Sequence, residues 1–263
     1  MKSALRLLLS CAVLVLPLTG SAWGVLGHRI VGQVAESYLK PRTKAEIKKI
    51  LGNETVAMSS NWMDFIKSDN SFKYLANWHY INLEQGLNFA QVRAYLRGDT
   101  STNVYTRINY LEKELKKKET PLEMKRMYLR ILIHLVGDVH QPMHCGRKED
   151  SGGNDIKVTW FNKPANLHSL WDSDLIEFQQ LSYTEYAAAI NHPTAVQLQT
   201  WQKDEMAKWV YESYKLSAEL YKGAEKNTRY SYKYNFDHVE ALNQQLLKGG
   251  VRLAGLLNKI FAT

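Results

Sequence analysis

The sequence predicts a mainly α, single-domain multi-helix bundle with at most a small β-hairpin. Three observations predict it. Apolar residues recur at helical spacing along most of the 263 residues. One segment alone, at 156–160, reads as a strand. No internal repeat, low-complexity tract or long linker divides the chain. Charged residues make up 23% and the hydrophobic set 45%, an ordinary globular composition that excludes disordered and collagen-like classes. The net charge of +8, from 34 Lys and Arg against 26 Asp and Glu, weakly favours an anionic partner.

Residues 1–22 read as a secretory signal peptide. Lys2 and Arg6 precede an apolar run from Leu7 to Leu18, and Thr19-Gly20-Ser21-Ala22 supplies small residues for cleavage after Ala22. The run falls short of the roughly 20 residues that span a bilayer. Nor is any later segment apolar for long enough, so no stable membrane association is expected. The expectation is an exported chain, periplasmic or secreted, with one domain over 23–263 that begins at Trp23. Cleavage removes Cys11 and leaves Cys145 alone. With no internal disulfide, stability rests on packing or on metal.

The elements follow in order. Ile30, Val31, Val34, Ala35, Tyr38 and Leu39 predict a helix over 28–40, closed by Pro41. Thr43-Lys44-Ala45-Glu46 reads as a capping box opening a helix to Leu51. Further helices are expected over 54–67 and 101–118. Pro121 opens a strong one, with Met124, Met127, Tyr128, Ile131, Leu132, Leu135 and Val136 at helical spacing. Ser151-Gly152-Gly153-Asn154 before Ile156–Trp160 marks the strand or hairpin. Helical patterns resume at 168–180, about 194–223 and about 235–260.

On the helix from Pro121, the apolar stripe Met127–Ile131 runs on into His134 and Asp138. An imidazole and a carboxylate are therefore aimed inward. An unpaired buried carboxylate costs several kcal/mol, of order, so Asp138 needs a partner. A core His–Asp hydrogen bond and a shared metal ion both satisfy that need. The same spacing recurs at His168 and Asp172, which shifts the balance toward metal. Pro142 ends the helix in Gly137-Asp138-Val139-His140-Gln141-Pro142-Met143-His144, which brings His144 back near the cluster. His79 and Asp64 lie in Asn77–Asn82 and Asn61–Asp64. A free α-amine at Trp23, with a pKa of about 7.7–8.0, can give up its proton to a metal, with His28 close by. Alone, Trp23 is equally a cleavage residue and His28 the polar start of a helix.

Taken in order, Trp23-x4-His28, Trp62-x-Asp64, Trp78-His79-Tyr80-Ile81-Asn82, His134-Leu-Val-Gly-Asp138-x-His140-Gln-Pro-x-His144, Gly152-Gly-Asn154 and Asn166-Leu-His168-x2-Trp171-Asp172 closely resemble the zinc-dependent single-strand-specific nucleases, the nuclease S-one/P-one family. A more distant resemblance is to the zinc phospholipases C. The motifs run from Trp23 to Asp172. Each piece is weak alone, but nine ligand-type residues match in order and spacing.

The resemblance implies a helical fold holding three Zn2+ ions. The first takes Asp64, His79, His134 and Asp138. The second takes His144, His168 and Asp172. The third takes the Trp23 amine and carbonyl, His28 and the bridging Asp138. Imidazole-rich ligation suits zinc over magnesium or calcium. The implied activity is phosphodiester hydrolysis of single-stranded DNA and RNA to 5′-phosphate products, with 3′-nucleotidase action as an extension and no obligate protein partner. Tyr80 is the candidate for stacking a base. His140 is expected either to support the metal ligands from behind or to be structural, and His192 and His238 have no visible role.

Two residues depart from the family pattern. Asn82 stands where many members have an Asp that helps activate water; an amide can orient water but cannot take its proton. Lys67 stands where many have a phosphate-binding Arg, keeping the charge and losing the bidentate fork. Two other functions remain open. One is a zinc phospholipase C, although the phospholipases carry Glu where this chain has Asp172. The other is a zinc-stabilised nucleic-acid-binding protein with little turnover.

Overall fold

The computed structural model describes residues 23–262; the signal-peptide reading of 1–22 lies outside the described residues. Helix α1 (Val25–Ser37) is followed by α2 (Pro41–Leu51). Helix α2 corrects the capping box read at Thr43. Pro41 takes the first helical position and Lys40 is the cap, because the fixed φ of proline is already helical and its missing N–H is not needed there. Thr43 is buried within the first turn.

The segment predicted as one helix over 54–67 is broken. It contains α3 (Val56–Ser59), α4 (Trp62–Phe65) and a 3-10 turn Ile66–Ser68, with a second 3-10 run at Asn70–Trp78. Helix α5 (Phe89–Gly98), which the periodicity did not reveal, and α6 (Val104–Lys116) follow. Both start on capping boxes, Asn88 with Gln91 and Asn103 with Thr106.

Helix α7 (Leu122–Asp138) is the centre of the molecule. Every residue from Ile131 to Asp138 is buried, so its second half has no solvated face. Strands β1 (Lys157–Trp160) and β2 (Lys163–Asn166) form the expected hairpin, with Trp160 opposite Lys163. Phe161 and Asn162 turn it with φ of 48° and 64°, the left-handed pair that matches strand twist. The sheet is larger than expected by one short strand, β3 (Arg229–Tyr230), parallel to β1.

The region 168–180 holds α8 (Leu167–Ser169), a π-helical turn Leu170–Asp174 and α9 (Leu175–Glu177). Helix α10 (Tyr183–Ile190), on a Ser182–Glu185 capping box, was not anticipated. The pattern over 194–223 divides at 202–205 into α11 (Ala195–Trp201) and α12 (Met206–Lys226). The chain closes on α13 (Tyr232–Phe261). Helix α1 packs against α13, α3 and α10, and α6, α13 and α4 pack around α7. The fold is mainly α and forms a single domain, as the sequence predicts. No helix among the described residues is long and apolar enough to cross a membrane.

Candidate metal centre

Helix α7 positions the first pair. His134 and Asp138, one turn apart, are fully buried on the predicted stripe. Gly137 between them is required by space. A β-carbon there would stand 2.6 Å from His28 Nδ1 and 3.7 Å from Trp23 Cδ1. The close approach brings α1 onto α7, and the His28 and His134 rings stack at 3.8 Å.

Asp138 is the hub. Its oxygens lie 3.4 Å from His28 Nε2, 2.9 Å from His79 Nδ1, 3.3 Å from His134 Nε2 and 3.7 Å from His144 Nδ1. Asp64, on α4, stands 3.7 Å from His134 Nε2 and 2.5 Å from Lys67 Nζ. The 3-10 turn Pro142–Cys145 returns His144 to the cluster, as Pro142 predicts. There His144 Nε2 is 3.9 Å from Asp172 Oδ1, and His168 Nε2 is 3.2 Å from Asp172 Oδ2. Asp172 sits in the π-helical turn, a winding common at functional sites.

Main-chain carbonyls orient three of the imidazoles. The Nδ1–H groups of His134, His144 and His168 donate at 2.7 Å to the carbonyls of Ser60, His79 and Gly152. Each Nε2 lone pair is then turned toward the carboxylates, the arrangement of ligating histidines. His144 Nε2 is buried with no hydrogen-bond partner among the described residues. Buried lone pairs that face carboxylate oxygens would be satisfied by a cation between them. Three sets of donor atoms each close to within 4.8 Å: His28, Asp64, His134; His79, His134, Asp138; and His144, His168, Asp172. The donor set therefore fits metal, with imidazole and carboxylate in the mixture that suits zinc.

Burial, with His134 nearby, lowers the His28 pKa from 6.5 to about 4. Burial likewise brings His144 to about 3 and His168 to about 4. Burial raises Asp172 well above the usual carboxylate range. For Asp138, burial acts upward, but His134, His144 and His79 outweigh it and hold the carboxyl well below that range. A histidine with a depressed folded pKa binds fewer protons folded than unfolded between the two values, so stability there rises with pH. The metal-free protein is accordingly expected to melt at falling temperature as the pH drops from about 6.5 to about 4. The raised Asp172 and Asp174 oppose this trend, against six histidines whose values burial lowers. Scanning calorimetry at fixed ionic strength checks it, and a flat profile would rule out neutral buried imidazoles.

The cluster floors a cleft of about 840 Å³, reached through His79, His144 and His168. Lys67, Tyr80 and Asn82 line the same cleft. Tyr80 is exposed, its hydroxyl donating to Asn77 Oδ1 at 3.1 Å. Asn82 Oδ1 is buried without a hydrogen-bond partner among the described residues. Trp23 is fully buried, and the next residue, Gly24, donates its N–H to the Asp172 carbonyl at 2.7 Å. All twelve residues singled out from the sequence thus lie in or around one site.

His140 belongs to none of the three donor sets. Its Nδ1–H donates to the Val136 carbonyl at 2.7 Å and its Nε2 accepts from Arg252 at 3.1 Å. His238 packs against Trp171 and Tyr234. The sequence reading missed three contributors. Gln141 donates to Asp172 Oδ1 at 2.5 Å, and its place just after helix α7 was the available signal. Tyr95 and Lys148 line the cleft and carry no local signal.

Comparison with known proteins agrees with this geometry. The family model described as S1/P1 Nuclease matches residues 23–262. Endonuclease 3 of Arabidopsis thaliana is 28% identical over 91% of this chain and 89% of its own. Nuclease P1 of Penicillium citrinum is 28% identical over 90% of this chain and 97% of its own. Nuclease S1 of Aspergillus oryzae is 29% identical over 64% of this chain and 60% of its own. With the match running from Trp23 through the whole His/Asp cluster and on to the last helix, the chain belongs to the S1/P1 nuclease family and is a nuclease.

Proposed function

We propose that the chain is an exported, trinuclear-zinc endonuclease that hydrolyses single-stranded DNA and RNA to 5′-phosphate products and also acts as a 3′-nucleotidase. The observation that carries this reading is the convergence of eight His and Asp side chains beneath one cleft that also presents Tyr80 and Lys67. Asp64, His79, His134 and Asp138 would hold one zinc, and His144, His168 and Asp172 a second. The Trp23 amine and carbonyl with His28 and Asp138 would hold the third. Bound there, zinc supplies Lewis acidity for the phosphoryl and leaving oxygens and lowers the pKa of water toward neutrality.

The remaining roles belong to the chain itself. Lys67 places its ammonium beside the scissile phosphate while keeping its contact with Asp64. The exposed Tyr80 ring stacks a base, which a strand can offer only when unpaired. The Asn82 amide orients water in the cleft and leaves proton removal to other groups. The neutral imidazoles and Gln141 keep the carboxylates aimed.

The test is release of acid-soluble nucleotides from single-stranded and duplex DNA by the chain beginning at Trp23, with zinc or a chelator, across about pH 4–9. Zinc-dependent cleavage that favours the single strand is expected. A zinc-loaded chain that cuts no nucleic acid would overturn the reading, and turnover of phospholipid vesicles in its place would assign the phospholipase activity.

A second result is expected at the N-terminus. Buried Trp23, the Gly24 bond to Asp172 and a family match that starts at Trp23 support export with cleavage after Ala22. A chain with one Met left before Trp23 should bind one zinc fewer by elemental analysis and lose most activity. Full zinc content in that chain would refute the amine ligand.

A further inference from the structure

Tyr221, near the end of α12, lies far in sequence from every ligand-type residue. Its buried hydroxyl nevertheless meets the turn that follows the His144 segment and supports His168. It donates to Asp150 Oδ1 at 3.0 Å and accepts from the Arg147 backbone N–H at 3.1 Å. The Arg147 guanidinium covers the ring at 4.0 Å. Asp150 Oδ1 also accepts the Gly153 N–H at 2.7 Å.

These bonds fasten the turn 147–153. It needs fastening, because Ser151, Gly152 and Gly153 all have positive φ, at 54°, 64° and 82°. Its Gly152 carbonyl is the acceptor that fixes His168 Nδ1. On the other side, Gly146 follows His144 and Cys145, and a β-carbon there would stand 2.6 Å from Tyr221 Oη. One phenol thus lies between the segment that presents His144 and the turn that orients His168.

We propose that Tyr221, acting through Asp150, is a positioning residue for the His144–His168–Asp172 metal group. The proposal rests on the zinc reading above. Without the hydroxyl, the Arg147 N–H loses its acceptor and Asp150 Oδ1 loses one of its two donors. The Gly152 carbonyl then loses its fixed place, and His168 loses its defined tautomer and aim. Burial raises the Tyr221 pKa, which keeps its proton available for the bond to Asp150.

The experiment follows zinc release from the loaded, full-length mature chain to a chromogenic chelator, with circular dichroism on the same samples. Tyr221→Phe is expected to weaken one ion by about 10–100-fold, the range for outer-shell partners of a metal site, and to leave the others at the wild-type rate. Asp150→Ala should do the same. Asp150→Asn keeps an acceptor oxygen and should return release toward wild type. Wild-type release from Tyr221→Phe would overturn the proposal. So would release of all ions together with a fall in helix content, which would mark a purely structural role. A wild-type chain that holds no zinc would overturn the zinc reading as well, and so distinguishes the two failures.

Discussion

Asp138→Asn is expected to cost activity by more than about 100-fold, beyond the upper end of what loss of an outer-shell partner costs. The reason is its position. Four imidazoles, from His28, His79, His134 and His144, approach its two oxygens within 3.7 Å. The amide preserves volume and removes the charge that two ions would share, so the fold should remain while the centre fails. His28→Ala, which removes one imidazole and leaves the Asp138 carboxylate in place, is expected to cost less. Single-stranded DNA cleavage with zinc content measured alongside gives the ranking, and the reverse order would remove the bridging role from Asp138.

Metal removal is the second large effect. Asp138 and Asp172 are buried, and burial together with the Asp138 charge disfavours ionised Asp172, a cost that a bound cation would relieve. An ion held at about 100 times its Kd contributes about 2.7 kcal/mol. At roughly 2–4 °C per kcal/mol for a chain of this size, stripping each such ion should lower the Tm by roughly 5–11 °C. Differential scanning calorimetry with and without a chelator reads this directly. An unchanged Tm would mean that packing alone holds the His and Asp side chains together.

Much of the candidate centre was legible because several of its His and Asp residues obey helical geometry. His134 and Asp138 interrupt an apolar stripe at positions a helix must bury, and Pro142 forces the turn that returns His144. Hydrophobic periodicity was less informative about winding. It joined α3, α4 and the start of the 3-10 turn Ile66–Ser68 into one helix, and it passed over the π-helical turn that carries Asp172, because apolar spacing does not report which carbonyl each N–H reaches. At Thr43, a plausible capping box lost to the backbone preference of Pro41. Helices α5 and α10 are short, at 10 and 8 residues, and their capping boxes were the overlooked signals. The Tyr221–Asp150 contact had no signature at all, since neither residue is unusual in its own segment and only the tertiary fold brings them together.

The three carbonyls that orient His134, His144 and His168 have an evolutionary consequence. A carbonyl belongs to the main chain, so residue 60 can vary in side chain without altering the acceptor it offers. Of the other two positions, His79 is fixed by its own contact with Asp138, and Gly152 by its backbone angle and by the 2.7 Å that would separate a β-carbon from the Met143 carbonyl. The centre thus draws part of its precision from atoms that substitution cannot remove. Chains with little more than a quarter of their residues in common can therefore keep the same imidazole orientations while almost everything around them drifts.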